Sequence, residues 1–215
     1  MFSKRTFHAI ARLLLYAIPV IASALVIKRD AGIIADGMKF GENSGTELMQ
    51  QSLLLMTSFT FFIVGFTSQS HKAIGALFGA GFMVLMYREL DAHLDEMFHG
   101  AWFFFAILIA GVMVALVIRQ KKQIWENLDE FYSTYAFGIF LSGLMSVLVF
   151  SRIFGAKTVW RALFDVEKLE TKQRWAKNAV EEGSELFGYS LLFIAAVEFL
   201  VHVVQQRRLA DKPSD

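Results

Sequence analysis

AWFFFAILIAGVMVALVI, residues 101–118, runs for eighteen positions without a charged side chain. At 1.5 Å of rise per residue such a helix covers about 27 Å, close to the roughly 30 Å of hydrocarbon in a bilayer. A helix that is apolar all round needs an apolar surround, so this stretch predicts a membrane span. The whole chain points the same way. Of its 215 residues, 55% are hydrophobic and 22 are Phe, and the mean hydropathy of +0.47 exceeds what a soluble domain of this size normally carries.

Further apolar runs at 13–28, 52–68, 73–87, 133–150 and 186–204 bring the predicted spans to six. The 73–87 run is the shortest and must borrow polar neighbours or tilt within a bundle to cross. The expected fold class is therefore all-α: a polytopic transmembrane helical bundle of six spans with short interfacial helices, forming a single integral-membrane domain over 1–215. The N-terminus resembles a signal peptide in its basic flank and apolar core. Its run, however, continues into Lys28, Arg29 and Asp30 without a small-x-small cleavage pattern, and reads as a retained first helix. The absence of cysteine excludes disulfides, thiol chemistry and cysteine metal sites.

Basic residues near the span ends set the expected orientation. Lys4, Arg5 and Arg12, then Lys72, then Arg119, Lys121 and Lys122, then Arg207, Arg208 and Lys212 all fall on one side if both termini are cytoplasmic. A bacterial inner membrane is the expected location. The loops 28–51, 88–100 and 151–185 then emerge together on the outer face, where the densest acidic motifs lie.

The richest of these is YRELDAHLDEMFHGAW, residues 87–102. Read as helix, it places Glu89, His93 and Glu96 on one face, and Asp91, Asp95 and His99 on a neighbouring one. Imidazole with carboxylate suits Zn, Fe or Mn, so Glu89, His93, Asp95 and His99 are the candidate ligands of a divalent metal. Asp91, Glu96, Glu47 and Glu181 add acids at the same face. Glu182 and Glu185, in EEGSE at 181–185, are the candidate catalytic bases that would act with a metal-activated water. Glu96 and His99 form one Glu-x-x-His pair, whereas the ferritin-like di-iron pattern needs two. The competing expectation is a solvated acidic helix end.

Glu198 lies about three turns into the sixth predicted span, with His202 one turn further on. A carboxyl at that depth must be neutral, paired or facing a polar cavity, so the two mark a candidate proton path. The 69–72 and 119–132 connections read as ordinary surface turns, with Trp125 and Tyr132 as interface anchors. The 151–185 region reads as an interfacial helix with apolar patches at Trp160, Leu163, Phe164 and Trp175. Gly75, Gly79 and Gly81, and separately Gly138, Ser142 and Ser146, read as close-packing faces.

No dinucleotide or P-loop fingerprint occurs, GYS at 188–190 lacks the context of a nucleophile elbow, and a net charge of +1 gives nucleic acid no electrostatic footing. Three functional classes remain: a metal-dependent membrane enzyme acting on a lipid-associated substrate, a cation or proton-coupled transporter or channel, and a structural or assembly subunit of a membrane complex. Membrane lipids are the expected partners, together with a second copy of the chain or a partner protein. Whether the chain is an enzyme is left open by the sequence.

Overall fold

The computed structural model describes residues 4–34, 39–41, 44–90 and 101–210. Among the described residues the chain is all-helical. In chain order the helices are α1 (Lys4–Asp30), α2 (Gly45–Thr67), a 3₁₀ turn (Gln69–His71), α3 (Lys72–Glu89), α4 (Ala101–Arg119), α5 (Lys121–Tyr132), α6 (Tyr135–Gly155), α7 (Lys157–Phe164) and α8 (Thr171–Ala210).

Four helices are long and apolar enough to cross a membrane: Ala9–Asp30 in α1, then α2, α6 and α8. The predicted runs 13–28, 52–68, 133–150 and 186–204 fall on them. The runs 73–87 and 101–118 are also helical, in α3 and α4, but these do not join the four. Helix α3 carries Lys72, Arg88 and Glu89 at its ends, and the described apolar part of α4 is the shorter Ala106–Arg119. Two connections differ from expectation. Residues 121–132 form a helix rather than a turn, and 151–185 is broken twice. Ala156 is extended at φ −69°, ψ 116°, and Asp165 is left-handed at φ 52°.

The chain divides into two compact units, Met1–Gln50 with Gly143–Leu191, and Gln51–Ser142 with Leu192–Asp215. In the first, α1 carries Pro19, which cannot donate to the helical ladder. One turn on, Ser23 Oγ donates to the Pro19 carbonyl at 2.8 Å and lies 2.9 Å from Ser190 Oγ on α8. Leu13, Leu14, Ile18, Ile21 and Leu25 are exposed, as expected for side chains whose natural surround is lipid. The start of α2 is capped twice. Ser44 Oγ accepts the Glu47 N–H at 3.2 Å, and buried Asp30 accepts the N–H and hydroxyl of Thr46 at 2.6 and 2.8 Å. The sequence SGTE is thus a capping motif, satisfying donors that a helix start leaves open.

Helix α6 contains a π turn at Ser146–Phe150. Residues five apart stand about 140° apart on a regular α-helix, but the π turn carries Ser146 and Ser151 to one face. Ser146 Oγ donates to the Ser184 carbonyl at 2.8 Å and Ser151 Oγ to Glu185 Oε1 at 3.1 Å. Gly188 makes the approach close, since a Cβ there would lie 2.5 Å from Val147 Cγ2 and 2.9 Å from the Gly143 carbonyl oxygen.

In the second unit Gly75 does the same for α2 and α3. A Cβ on it would meet Gly65 N at 2.5 Å and the Phe61 carbonyl at 2.6 Å. Ser58 Oγ donates to the Gly79 carbonyl at 2.7 Å across the same contact. Aromatic rings fill the interior: Phe61 meets Phe78 and Phe82, and Phe131 meets Phe78, Phe140 and Phe199, at centroid separations of 4.9–5.7 Å. Trp125, Tyr132 and Tyr135 are exposed, where amphipathic rings serve as interface anchors.

Candidate functional site

Three ionisable side chains from distant parts of the sequence meet in the second unit. His71 ends the 3₁₀ turn between α2 and α3 and is buried. Glu130 stands in the last turn of α5, and His202 lies on α8. His71 Nε2 is 3.1 Å from Glu130 Oε2, and His202 Nε2 is 3.0 Å from Glu130 Oε1. One carboxylate bridges two imidazoles and spends a different oxygen on each.

Local sequence explains how Glu130 gets there. Gln123, Asn127 and Glu130 recur at i, i+4 and i+7, one face of α5. Gln123 Nε2 donates to the carbonyls of Gln69 at 3.2 Å and Ser70 at 2.7 Å, so that face is held against the 3₁₀ turn. Phe199 packs against His71 at 6.0 Å, stacks on His202 at 6.3 Å and touches Phe131. It closes the apolar side of the cluster. The placement of Glu130 violates a helix rule, because acids near a C-terminus oppose the macrodipole by about 0.3–1 kcal/mol. Helix α5 begins with bases, Lys121 and Lys122, and ends with acids, Asp129 and Glu130.

The chemistry available is proton transfer. His71 Nδ1 lies 3.0 Å from both Ser68 Oγ and Ser70 Oγ, which are 2.8 Å from each other. A hydroxyl either donates or accepts, so the two serines serve either tautomer of His71. At the far end, His202 Nε2 is also 3.0 Å from Gln206 Nε2. An amide nitrogen only donates, and the amide can be turned over to present its oxygen instead, so Gln206 serves the ring nitrogen in either role. The hydrogen-bonded chain runs from exposed Ser70 through His71 and Glu130 to His202. Glu198, one turn before His202 on α8, is buried in the span.

Asn127 adds an open end. It is buried, and its Oδ1 has no donor among the described residues. Buried amide oxygens are ordinarily satisfied, by ordered water where protein offers nothing.

The expected outer site is distributed differently. His93, Asp95 and His99, with Asp91 and Glu96, lie outside the described residues. Glu89 ends α3, with Oε1 3.0 Å from an Arg88 guanidinium nitrogen. Glu47 serves the α2 cap through its N–H. The three acids of 181–185 take three separate partners: Glu181 pairs with Lys177, Glu182 accepts from buried Gln50 Nε2 at 2.9 Å, and Glu185 is held by Arg152 at 3.0 Å and Ser151. Among the described residues no group of three or more His, Asp or Glu is arranged to hold a metal ion.

Sequence inspection singled out His202 but coupled it to Glu198. It passed over Glu130 and His71. The reversed charge order of α5 is the one local signal that marks Glu130.

No family model matches the chain, and no curated protein or solved structure matches it.

Proposed function

We propose that the chain is an integral membrane protein that passes protons across the membrane, as a channel, with His71, Glu130 and His202 as its proton-exchange centre and Glu198 as the carboxyl that links this centre to the span. The observation that carries this is the carboxylate shared between two imidazoles, each within hydrogen-bond distance of a different oxygen. Ionisable side chains in membrane helices are costly and concentrate on ion and proton pathways. The metal centre expected on the outer face has less support, because Glu181, Glu182 and Glu185 are engaged as clamps.

In this proposal six helices cross a bacterial inner membrane with both termini cytoplasmic. The His71–Glu130 contact is consistent with the count, since it requires α3 and α4 to cross together or not at all. His71 precedes α3 and Glu130 follows α4, so these helices together cross an even number of times. Their 18 and 19 residues give about 27–29 Å each, enough for two shallowly mismatched crossings. Glu130 and His202 impose the same parity on α6 and α8.

The test is proton flux into liposomes carrying the purified chain and a trapped pH-sensitive dye, driven by a potassium diffusion potential. Wild-type protein should acidify the lumen. Because a positioned acid–base group typically contributes 10²–10⁴-fold, Glu130→Gln should slow the flux at least about tenfold. Flux no faster than in protein-free vesicles would overturn the proposal.

A further inference from the structure

The segment between α7 and α8 holds cations that the rest of the fold does not use. Helix α7 ends at left-handed Asp165, and the Val166 N–H closes onto the Arg161 carbonyl at 3.1 Å. Buried Leu169 pins the returning chain. Glu170 then precedes α8: its N–H donates to Gln173 Oε1 at 2.8 Å, and its carbonyl accepts from the Arg174 N–H at 2.9 Å. That is half of a capping box, so the loop is locally fixed.

This fixed loop lines an open cleft of about 620 Å³ with Lys168, Leu169, Glu170, Thr171, Lys172 and Arg174. Three cations face a single carboxylate there, and none of the three forms an ion pair among the described residues. Amphipathic α7 ends at Phe164, four residues before Lys168. Its Trp160 is buried, with the indole N–H donating to the Phe154 carbonyl. Val159, Leu163 and Phe164 are exposed, Leu163 at 69%.

An apolar ridge a few residues from an uncompensated cationic cleft, on a chain with membrane-spanning helices, fits one ligand class. Phosphate oxygens take charge-assisted hydrogen bonds from Lys and Arg, and amphipathic segments with basic residues bind anionic lipid at the interface. We propose that residues 157–174 bind an anionic phospholipid, with the headgroup phosphate in the cleft near Lys168, Lys172 and Arg174 and an acyl chain along Val159, Leu163 and Phe164. The site is independent of the proton-exchange centre.

Native mass spectrometry of the full chain in mild detergent tests it. The probe is an equimolar mixture of phosphatidylglycerol and phosphatidylcholine with the same acyl chains. Wild-type protein should retain phosphatidylglycerol preferentially, and the K168A/K172A/R174A variant, whose replaced side chains are exposed, should lower that preference at least about tenfold. The comparison variant K121A/K122A should keep it. Equal retention of the two lipids by the wild type, or a preference that survives in the triple variant or disappears in the comparison variant, would overturn the proposal. So would displacement of the lipid by an equal concentration of soluble glycerol phosphate, which would make the cleft a site for free anions.

Discussion

His71 and His202 stand 131 positions apart in the sequence, yet each holds one oxygen of the same Glu130 carboxylate, at 3.1 and 3.0 Å. Removing either ring therefore changes what the other can exchange protons with. His71→Asn keeps a polar partner for Glu130 but loses the two-ended ring that, in the proposed mechanism, hands a proton from Nδ1 to Nε2. Proton flux should fall by about 10²-fold or more with little change in melting temperature. His71→Leu should lose flux as well, and should also destabilise by about 1 kcal/mol, because half-buried Glu130 and Ser68 lose a hydrogen-bond partner that water replaces only in part. Liposome flux and thermal melts on the two variants separate the effects.

Asn127 makes the opposite prediction for stability. A buried acceptor left without a donor costs about 1–3 kcal/mol, and replacement by an apolar group of similar shape removes that cost. Asn127→Leu should melt at the wild-type temperature or above it. A lower melting temperature would mean that the amide is satisfied by water and contributes to the fold.

Arg152 and Glu185 form an unequal pair: the Arg152 side chain is 50% exposed and that of Glu185 only 8%. Arg152→Ala withdraws a cation from a buried carboxylate and should destabilise by about 1–2 kcal/mol, a figure kept low because solvent screens the exposed partner. Adding Glu185→Gln to Arg152→Ala should recover part of the loss. Chemical denaturation of the two single variants and the double variant gives the coupling directly.

Glycines on the same small-residue pattern should divide sharply. Gly75→Ala drives a Cβ into the backbone of α2 and should cost about 1–3 kcal/mol or more. Gly138→Ala has nothing within 4 Å of the new atom and should be neutral or slightly stabilising, since alanine favours helix. Melting temperatures of the two proteins, measured side by side, test the contrast.

The helices were legible because long apolar runs have few alternatives to being helical and buried in something apolar. Even 73–87, the weakest run, is helix. The packing faces were legible only in part. Gly75 lies at a tight crossing, whereas Gly138 faces open space and Ser142 turns back to the Gly138 carbonyl at 2.8 Å. The third member of that face, Ser146, does lie in the close approach, together with Val147 and the Gly143 carbonyl, against Gly188 of α8. Spacing identifies a small stripe but not what lies opposite it. The same limit hid the His71–Glu130–His202 cluster. Each of its members is a single ionisable residue near a helix end, and i,i+4 counting finds neighbours on one helix only. It joined His202 to Glu198, while the contact that brings three segments together is 72 positions away. The acids at 181–185 misled in the complementary way: their shared helix suggested one site, and their partners come from α2, α6 and α8 itself.

The π turn in α6 has a consequence for chain length. It holds one residue more than the α-helical path it replaces, so it absorbs that residue while the faces on either side stay aligned, and Leu148, Val149 and Phe150 within it are all exposed. A substitution at any of these three should pass unnoticed. Deleting one of them would leave Ser146 and Ser151 four apart, about 40° on an ordinary α-helix, so Ser151 and Arg152 should still meet Glu185. An added residue has no such outlet, because the turn already holds the extra one.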